Sequence, residues 1–472
     1  MSETHTSADQ TQTTGLALAQ NTKSSGAKVT AWALWDWGAQ PFNTVITTFV
    51  FAVYITTADF FSPGNPNGAT KALGISTMIA GIVIAVIAPV LGQTADRSGH
   101  LVRNMKYLTW ALAALSAALF FIEPSPQFLI VGLIILGVGS IISEIAGSLY
   151  HATLDRVATE SNVGKVSGFG WGMGYMGGIF VLLVILFLFI QPEVGLFGLT
   201  ETPDKIRASM VVCGLWTLLF TIPAFVSLKD RPPLHDPTKL GILGSYKALF
   251  RHMGRIWKHD RQVAYFLIAS ALFRDGLAAV FAFGAVIAAQ SFGFSTTEII
   301  YFGVAASVIA GVVTILFGLL DDKIGPKKVI LFCLAVLSIG AIVVFFLHQP
   351  AYAIPEGAAG YDATVVAHGK TIFWIFGLLL SSLCGPAQAA SRSYLARMIP
   401  NGHSGEIFGI YTTTGRVISF ISPALFTVFV ALGEAVTGGN ATQHWGLLAI
   451  AAILIFGFFV LLPVKPPRST KE

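Results

Sequence analysis

The sequence predicts an all-α integral membrane protein whose twelve transmembrane helices form two six-helix bundles. Hydrophobic residues make up 54% of the 472-residue chain and charged residues only 11%, whereas soluble domains carry about 25% charged residues. Apolar runs recur along the whole chain, and a motif that follows the second run returns in the second half. The composition therefore excludes a soluble enzyme, and the spread of the apolar runs excludes a single-span receptor.

Twelve apolar runs are long enough to cross a bilayer, which requires about 20 residues as a helix. The runs are continuously apolar, whereas strands of a membrane barrel would alternate over about 10 residues. Helices are therefore predicted. They lie near 31–58, 73–94, 104–122, 127–149, 166–190, 207–228, 263–290, 298–320, 329–347, 371–391, 405–432 and 443–463.

These runs divide the chain into two six-helix halves, a basic linker between them and a short tail at each end. The first tail lacks the pattern of a signal peptide and is predicted to be disordered. The linker alternates apolar and basic residues between 246 and 258 with helical spacing, which predicts an amphipathic helix on the membrane surface. The first tail covers 1–28 and the first half covers 29–228. The linker covers 229–262, the second half 263–463 and the last tail 464–472.

The loops between the runs carry their basic residues on one side of the membrane. With a cytoplasmic N-terminus, 23 Lys and Arg residues fall on the cytoplasmic side and four on the opposite side. Cytoplasmic loops are the ones enriched in Lys and Arg. We therefore expect both termini to be cytoplasmic. We expect the membrane to be a bacterial plasma (inner) membrane, with a vacuolar membrane as the alternative, to which no targeting segment points.

The two halves share a loop motif between their second and third helices. Gly92–Arg103 (GQTADRSGHLVR) and Gly318–Lys328 (GLLDDKIGPKK) both fit G-x-x-x-D-[RK]-x-G, 226 residues apart. Parallel six-helix repeats of this kind are a transporter architecture, with the substrate site between the halves. Generic positive-inside charge would explain one copy of the motif, but not two copies at matched positions.

The residue types of this motif suit a cytoplasmic gate. Glycine permits a tight turn between helix ends, an aspartate can cap a helix N-terminus, and the following Arg or Lys can bridge to an acid on a neighbouring helix. The predicted gating motif comprises Gly92, Asp96, Arg97, Gly99, Gly318, Asp322, Lys323 and Gly325.

The loop motif and the 6+6 layout resemble the major facilitator superfamily over nearly all of 31–463. Trp32–Phe42 (WALWDWGAQPF), Val166–Gly178 (VSGFGWGMGYMGG), Ser391–Pro400 (SRSYLARMIP) and Gly405–Pro423 (GEIFGIYTTTGRVISFISP) resemble one branch. That branch contains the yeast vacuolar amino-acid effluxer of autophagy and its bacterial relatives. The resemblance implies secondary active transport of a small solute by alternating access, with amino acids as the first candidates.

Ionisable residues within the runs are candidates for substrate binding or proton coupling, because a charge within a bilayer is costly. Asp36 and Asp275 lie on equivalent helices of the two halves, although Asp36 also suits an interfacial aromatic belt. Arg392 lies near a helix end, where snorkelling is the simpler expectation. The candidates are Asp36, Glu144, Arg274, Asp275 and Arg416.

These charges fit a zwitterionic solute. Asp36, Glu144 or Asp275 can meet an ammonium group, while Arg416 or Arg274 can bind a carboxylate with a bidentate fork. Pairing of Glu144 to Arg416 or Arg392 is the structural alternative. Aromatic residues that can line the pocket are Trp35, Trp171, Tyr175 and Tyr411.

Other classes of function receive less support. Gly172–Gly177 fits G-x-G-x-x-G but follows no strand, so these glycines indicate close helix packing. No motif for ATP hydrolysis or other catalysis occurs, and we expect no enzyme activity, metal or cofactor. A drug or sugar exporter of the same superfamily, a channel, and a non-transporting receptor or scaffold remain alternatives. The expected partners are a small-molecule solute, the lipid bilayer and protons, without nucleic acid, and we expect a monomer.

Overall fold

A computed structural model describes residues 25–56, 68–232, 261–354, 356–400, 403–438 and 442–465, with Leu18, Phe60 and six residues of 244–258. Apart from one isolated bridge between Gly195 and Leu199, these residues form helices, turns and irregular connections. Most of the predicted tails and of the predicted linker helix lie outside the described residues.

Six helical spans occupy the first half of the chain. The first span is interrupted, because a π-helical stretch at Phe42–Phe49 follows Pro41 and separates two α-helical pieces. Its helix begins at Gly26, inside the segment predicted as a tail. The α-helices of this half are α1 (Gly26–Pro41), α2 (Phe51–Tyr54), α3 (Gly68–Ser98), α4 (Leu101–Ala118), α5 (Pro126–Ala152), α6 (Val163–Ile185) and α7 (Thr202–Ser227).

Six further spans occupy the second half, and the fifth of them consists of two helices. The helices are α8 (Arg261–Phe292), α9 (Thr296–Ile324), α10 (Pro326–Leu347), α11 (Ala363–Ala396), α12 (Ser404–Ile418), α13 (Ile421–Thr437) and α14 (Gly446–Leu461).

Length and composition agree with a membrane location for these spans. Ten helical segments of the described chain are long and apolar enough to cross a bilayer. The remaining two spans are the interrupted first one and α4, which carries Arg103 and Lys106 in its first two turns. The total of twelve spans matches the prediction.

The chain forms two compact units that differ slightly from the two halves of the sequence. The first unit comprises residues 1–166, 173–255 and 396–413, and the second unit comprises residues 167–172, 256–395 and 414–472. Each unit therefore combines most of one half with a short helical segment from the other half. The amino-terminal part of α12 belongs to the first unit, and its last turns belong to the second.

The core of the first unit is apolar and rich in aromatic rings. Tyr150 of α5 is fully buried, and Trp32 and Trp35 of α1 stack on its ring at centroid distances of 4.5 and 4.3 Å. The indole nitrogen of Trp32 donates to Thr153 Oγ1 and that of Trp35 to Thr109 Oγ1. These bonds satisfy the polar atoms of two large buried rings, as burial requires.

In the second unit, α8 packs closely on α14. A methyl group added at Gly457 would lie 2.8 Å from Phe273 Cβ, and one added at Gly276 would lie 2.8 Å from atoms of Ile453 and Leu454. The absent side chains at these glycines let the two helices approach each other, as small residues do in membrane bundles. This contact fixes the position of the middle of α8, where two of the predicted charges lie.

Candidate functional site

The eleventh span is broken at its centre, and the break is explained by the sequence. Helix α12 ends at Ile418 and helix α13 begins at Ile421, with Ser419 and Phe420 in a turn between them. Pro423 lies in the first turn of α13, where its missing N–H cannot continue the helical ladder. The predicted run at 405–432 therefore holds two helices instead of one.

Asp275 binds the start of the second of these helices. Its carboxylate Oδ2 accepts a hydrogen bond from the backbone N–H of Ser422 at 2.9 Å and one from the Ser422 hydroxyl at 2.8 Å. The residue is 8% exposed and lies near the middle of α8. A carboxylate at a helix N-terminus satisfies backbone donors and interacts favourably with the helix dipole.

Two Arg residues lie near the other side of the break. A methyl group added at Gly415 would lie 3.2 to 3.4 Å from three guanidinium atoms of Arg274, so the glycine lets this group lie against the α12 backbone. Arg416 follows in the last turn of α12 and is exposed. Cations are favoured at the C-terminal end of a helix. The second unit thus gathers Arg274, Asp275 and Arg416 around one helix break.

The first-span acid lies in a different setting. Asp36 is half-buried and accepts a hydrogen bond from Gln40 Nε2 at 3.1 Å. A methyl group added at Gly174 of α6 would lie 3.0 Å from Asp36 Oδ1. Asp36 therefore faces α6 inside the first unit, next to the half-buried Tyr175. Glu144 is half-buried in α5 of the same unit.

The aromatic candidates occupy three different environments. Trp35 is 4% exposed and belongs to the packed core of the first unit, which differs from the expectation that it lines a pocket. Tyr411 is also buried and contacts Phe408 in the same unit. Trp171 is half-buried in the second unit, where the Arg392 guanidinium lies 5.2 Å from its ring centroid.

Arg392 does not snorkel, and that expectation is wrong. It is 1% exposed, and its guanidinium donates to Ser167 Oγ at 3.0 Å and to the Ser167 carbonyl at 2.5 Å. Ser167 Oγ in turn donates to the Ala389 carbonyl at 2.7 Å. The guanidinium finds its acceptors and an aromatic face within the protein, so it has no need to reach the membrane surface.

The first copy of the gating motif contacts the start of α12 within the first unit. The Asp96 carboxylate accepts the backbone N–H groups of Gly405 at 2.9 Å and Glu406 at 2.8 Å. A methyl group added at Gly92 would lie 2.1 Å from the Gly405 carbonyl oxygen. Gly99 has a φ of 68°, which suits glycine at this turn. Asp96 thus caps the N-terminus of α12, and Arg97 beside it is half-buried.

The second copy shows a related close approach within the second unit. A methyl group added at Gly168 would lie 2.8 Å from the Gly318 α-carbon. The neighbouring Asp321 is 1% exposed and accepts a hydrogen bond from the Ser393 hydroxyl. Asp322 is half-buried and Lys323 is exposed. Gly325 has a φ of 90° at the turn before α10.

Several polar residues at these contacts were missed by the sequence analysis. Glu406 is 3% exposed, accepts a hydrogen bond from Gln93 Nε2 at 2.9 Å and approaches His403 Nδ1 at 3.3 Å. Ser404 Oγ donates to Asp155 Oδ2 at 2.8 Å. The sequence signal that could have identified Glu406 is its position, because it is an acid at the second residue of the predicted run 405–432. Nothing in the sequence alone placed it opposite the first gating motif.

The described residues contain no cluster of three or more His, Cys, Asp or Glu side chains that suits a metal ion. Cys213, Cys333 and Cys384 are buried free thiols. The side chains described at the helix break, two Arg residues and one Asp, offer ionic and hydrogen-bonding chemistry.

Comparisons with known proteins identify the family. The family described as "vacuole effluxer Atg22 like" matches residues 151–472. The MFS-type transporter YxiO of Bacillus subtilis is 27% identical over 447 residues, which is 93% of this chain and 95% of YxiO. Autophagy-related protein 22-1 of Aspergillus niger is 26% identical over 64% of this chain, and the match spans 46% of that protein. The chain thus spans about half the length of this fungal relative.

The fold also matches a solved transporter structure. The proton:xylose symporter XylE aligns with a TM-score of 0.63 and 14% identity, covering 93% of this chain and 95% of XylE. This likeness confirms the predicted fold class, with twelve transmembrane helices in two six-helix bundles. Together, the matched residues and the fold show that the chain is a multi-pass membrane transporter, and that it belongs to the Atg22-like branch of the major facilitator superfamily.

Proposed function

We propose that this protein is a secondary active transporter that moves a small zwitterionic solute, an amino acid or a similar metabolite, by alternating access. The observation that carries the proposal is the helix break in the second unit, around which Arg274, Asp275 and Arg416 are gathered. A guanidinium group binds a carboxylate through paired, charge-assisted hydrogen bonds. A carboxylate on the protein offers the complementary partner for an ammonium group.

The chemistry at the break favours a solute with a carboxylate over a sugar or a cationic drug. A sugar has no charge to balance two guanidinium groups. A cationic drug would meet an excess of positive charge, since two Arg residues accompany one Asp there. The family description also supports a transport function, because it names a vacuole effluxer.

Proton coupling is the second part of the proposal. Asp36, Glu144 and Asp275 are carboxyl groups within the helical spans, and each can exchange a proton as the transporter changes conformation. The XylE structure to which the fold is similar is that of a proton symporter.

The contact between Asp96 and the start of α12 supports a gating role for the first motif, since it must break if α3 and α12 separate.

Location and orientation are the third part of the proposal. We propose a bacterial plasma membrane location with cytoplasmic termini, which is supported by the concentration of Lys and Arg in the loops on one side of the membrane.

Counterflow in proteoliposomes tests the proposal. Vesicles loaded with one unlabelled amino acid should accumulate the same radiolabelled amino acid from outside. Arg416→Ala and Arg274→Gln should each raise the KM by about 10- to 150-fold, because a hydrogen-bonded charge contributes roughly 1.5–3 kcal/mol. Lys328→Ala is the matched control, since it removes an exposed positive charge away from the break. It should leave the KM within twofold.

Binding is measured separately by thermal shift, since a ligand of the folded state raises its melting temperature. Zwitterions should stabilise the wild type and Lys328→Ala, but not Arg416→Ala. The zwitterion proposal is refuted if Arg416→Ala and Asp36→Asn both transport as the wild type does. It is equally refuted if only sugars or cationic drugs exchange, which would support the exporter alternative.

A further inference from the structure

The helix break in the eleventh span is held open by a side chain from another helix. In an uninterrupted α-helix, the N–H of Ser422 would donate to the carbonyl of Ile418, four residues earlier. Here that N–H donates to the Asp275 carboxylate at 2.9 Å, and the Ser422 hydroxyl donates to the same oxygen at 2.8 Å. Asp275 and Ile418 therefore compete for one donor at the joint between α12 and α13.

Pro423 makes this competition decisive for the shape of the span. It supplies no N–H to the carbonyl of Ser419, so the joint already lacks one bond of the helical ladder. The Ser422 N–H is one of the donors that would join α13 to the last turn of α12 in a continuous helix. The group that accepts this N–H therefore influences how α13 aligns with α12.

We propose that Asp275 is a proton-operated latch on the eleventh span. As a carboxylate, it holds Ser422 through two charge-assisted hydrogen bonds and keeps the span bent. When Asp275 takes up a proton, it loses the charge that the helix N-terminus stabilises, and the Ser422 N–H returns to the Ile418 carbonyl. The bend at the joint then decreases to the kink that Pro423 itself imposes. This inference deepens the proposed function, on which its role in transport rests, by naming the proton-carrying residue and the element that it moves.

Among the ionisable groups near the helix break, the carboxyl group of Asp275 is the one that we propose takes up a proton. Arg274 on the same helix and Arg416 at the end of α12 are the charges nearest to the break in sequence, and both are guanidinium groups. The facing residues of α14 are Ile453 and Leu454, and Gly446–Leu461 contains no ionisable side chain.

The other elements that pack on α8 carry their ionisable groups at their ends. On α9, Glu298 pairs with Lys370 near one end, and Asp321, Asp322 and Lys323 lie at the other. On α13, Glu434 lies twelve residues beyond Ser422, or about 18 Å along the helix axis. The turns at 350–353 and 443–445 contribute Tyr352 and His444 at the far end of the unit. His348, which follows α10, contacts the Ser291 carbonyl of α8 at 3.1 Å at that same end, and Tyr394 of α11 packs on Phe266 near the start of α8.

A distance measurement within the second unit tests the latch without any solute. Spin labels at Phe346→Cys on α10 and Val436→Cys on α13 occupy positions that are 76% and 70% exposed. The three native cysteines are buried and can stay in place. Pulsed electron paramagnetic resonance in nanodiscs should show two distances in the wild type, with populations that interchange as the pH is changed.

Asp275→Asn should give the acid-form distance at every pH, because an amide cannot take the negative charge. Ser422→Ala should keep both distances but move the midpoint to higher pH, since the carboxylate loses one donor. Asp362→Asn is the matched control, because the exposed Asp362 caps α11 through the Thr364 N–H at 2.8 Å, outside the spans. It should titrate as the wild type does.

A distance distribution that is independent of pH in the wild type overturns the latch. A pH dependence of the distances in Asp275→Asn like that of the wild type also overturns the latch. If that variant fails to fold, an unchanged midpoint in Ser422→Ala overturns it instead. Because no solute is present, failure of the latch is distinct from failure of the zwitterion assignment, which counterflow alone decides.

Discussion

Replacing Gly92 by alanine should separate α3 from α12, because there is no room for a methyl group at their contact. The added carbon would lie 2.1 Å from the Gly405 carbonyl oxygen, and ordinary contact begins at about 3.4 Å. The start of α12 must therefore move by about 1.3 Å. That shift would stretch both hydrogen bonds from the Gly405 and Glu406 N–H groups to Asp96, which measure 2.9 and 2.8 Å.

The free-energy cost of Gly92→Ala can be calculated from the two hydrogen bonds to Asp96. A hydrogen bond to a charged group contributes about 1.5–3 kcal/mol, so losing two costs about 3–6 kcal/mol. Alanine is favoured over glycine in a helix by about 1 kcal/mol. The net loss at the contact between α3 and α12 is then about 2–5 kcal/mol. Gly81, in the same helix, has open space around its position, and Gly81→Ala should be neutral or stabilising by about 1 kcal/mol.

Amide hydrogen exchange reports the contact between α3 and α12 directly, because the two backbone N–H groups that donate to Asp96 lie at the start of α12. Exchange at Gly405 and Glu406 should accelerate at least tenfold in Gly92→Ala, since about 1.4 kcal/mol corresponds to a factor of ten. It should stay unchanged in Gly81→Ala. Equal exchange in the two variants would refute the contact, and Asp96→Asn should reproduce the faster exchange without any steric overlap.

Three further outcomes follow from the structure. Burial lowers the pKa of His348 below its usual value of 6.5, against a smaller opposing effect of its hydrogen bond to the Ser291 carbonyl. The His348 imidazole therefore takes up a proton at a higher pH in the unfolded chain than in the folded chain. The stability that the buried neutral imidazole contributes is complete above about pH 6.5 and is lost as the pH falls below that value. The melting temperature should fall from about pH 7.5 to 5.5, and this fall should be smaller in His348→Phe. Trp35→Ala should lower the melting temperature through a loss of roughly 3–5 kcal/mol, because it empties a packed core, with no change in KM in the folded fraction. Gly415→Ala should displace the Arg274 guanidinium, which lies 3.2–3.4 Å from the added methyl group, and raise the KM for zwitterions in counterflow more than it lowers the maximal rate.

The fold could be predicted from the sequence because the bilayer imposes a strict length rule. Continuous apolar runs of about 20 residues have few alternatives to a spanning helix, since every backbone group must be satisfied within the segment. The interruptions were not predicted. Pro41 and Pro423 lie within the first and eleventh runs, and each marks a break in the α-helix. A proline inside an apolar run was the available signal, although prolines such as Pro386 lie within helices that continue.

The faces of the helices were harder to predict than their limits. Trp32 and Trp35 are three residues apart, so they share one face of α1, and both stack on Tyr150. Which face of an apolar helix meets protein and which meets lipid is not encoded in hydropathy, because both environments are apolar. The same limit applies to Asp321 and Asp322, since adjacent acids point in different directions and only the packing shows that Asp321 is buried.

The repeat in the sequence also suggests more symmetry than the acids show. Asp36 and Asp275 lie on equivalent helices of the two halves, which favoured a shared central site. Yet Asp36 accepts a bond from Gln40 on its own helix, whereas Asp275 reaches another helix and holds its first turn. Protonation of Asp275 frees the donor that joins two helices, so the second unit is where a single proton can change the shape of a span.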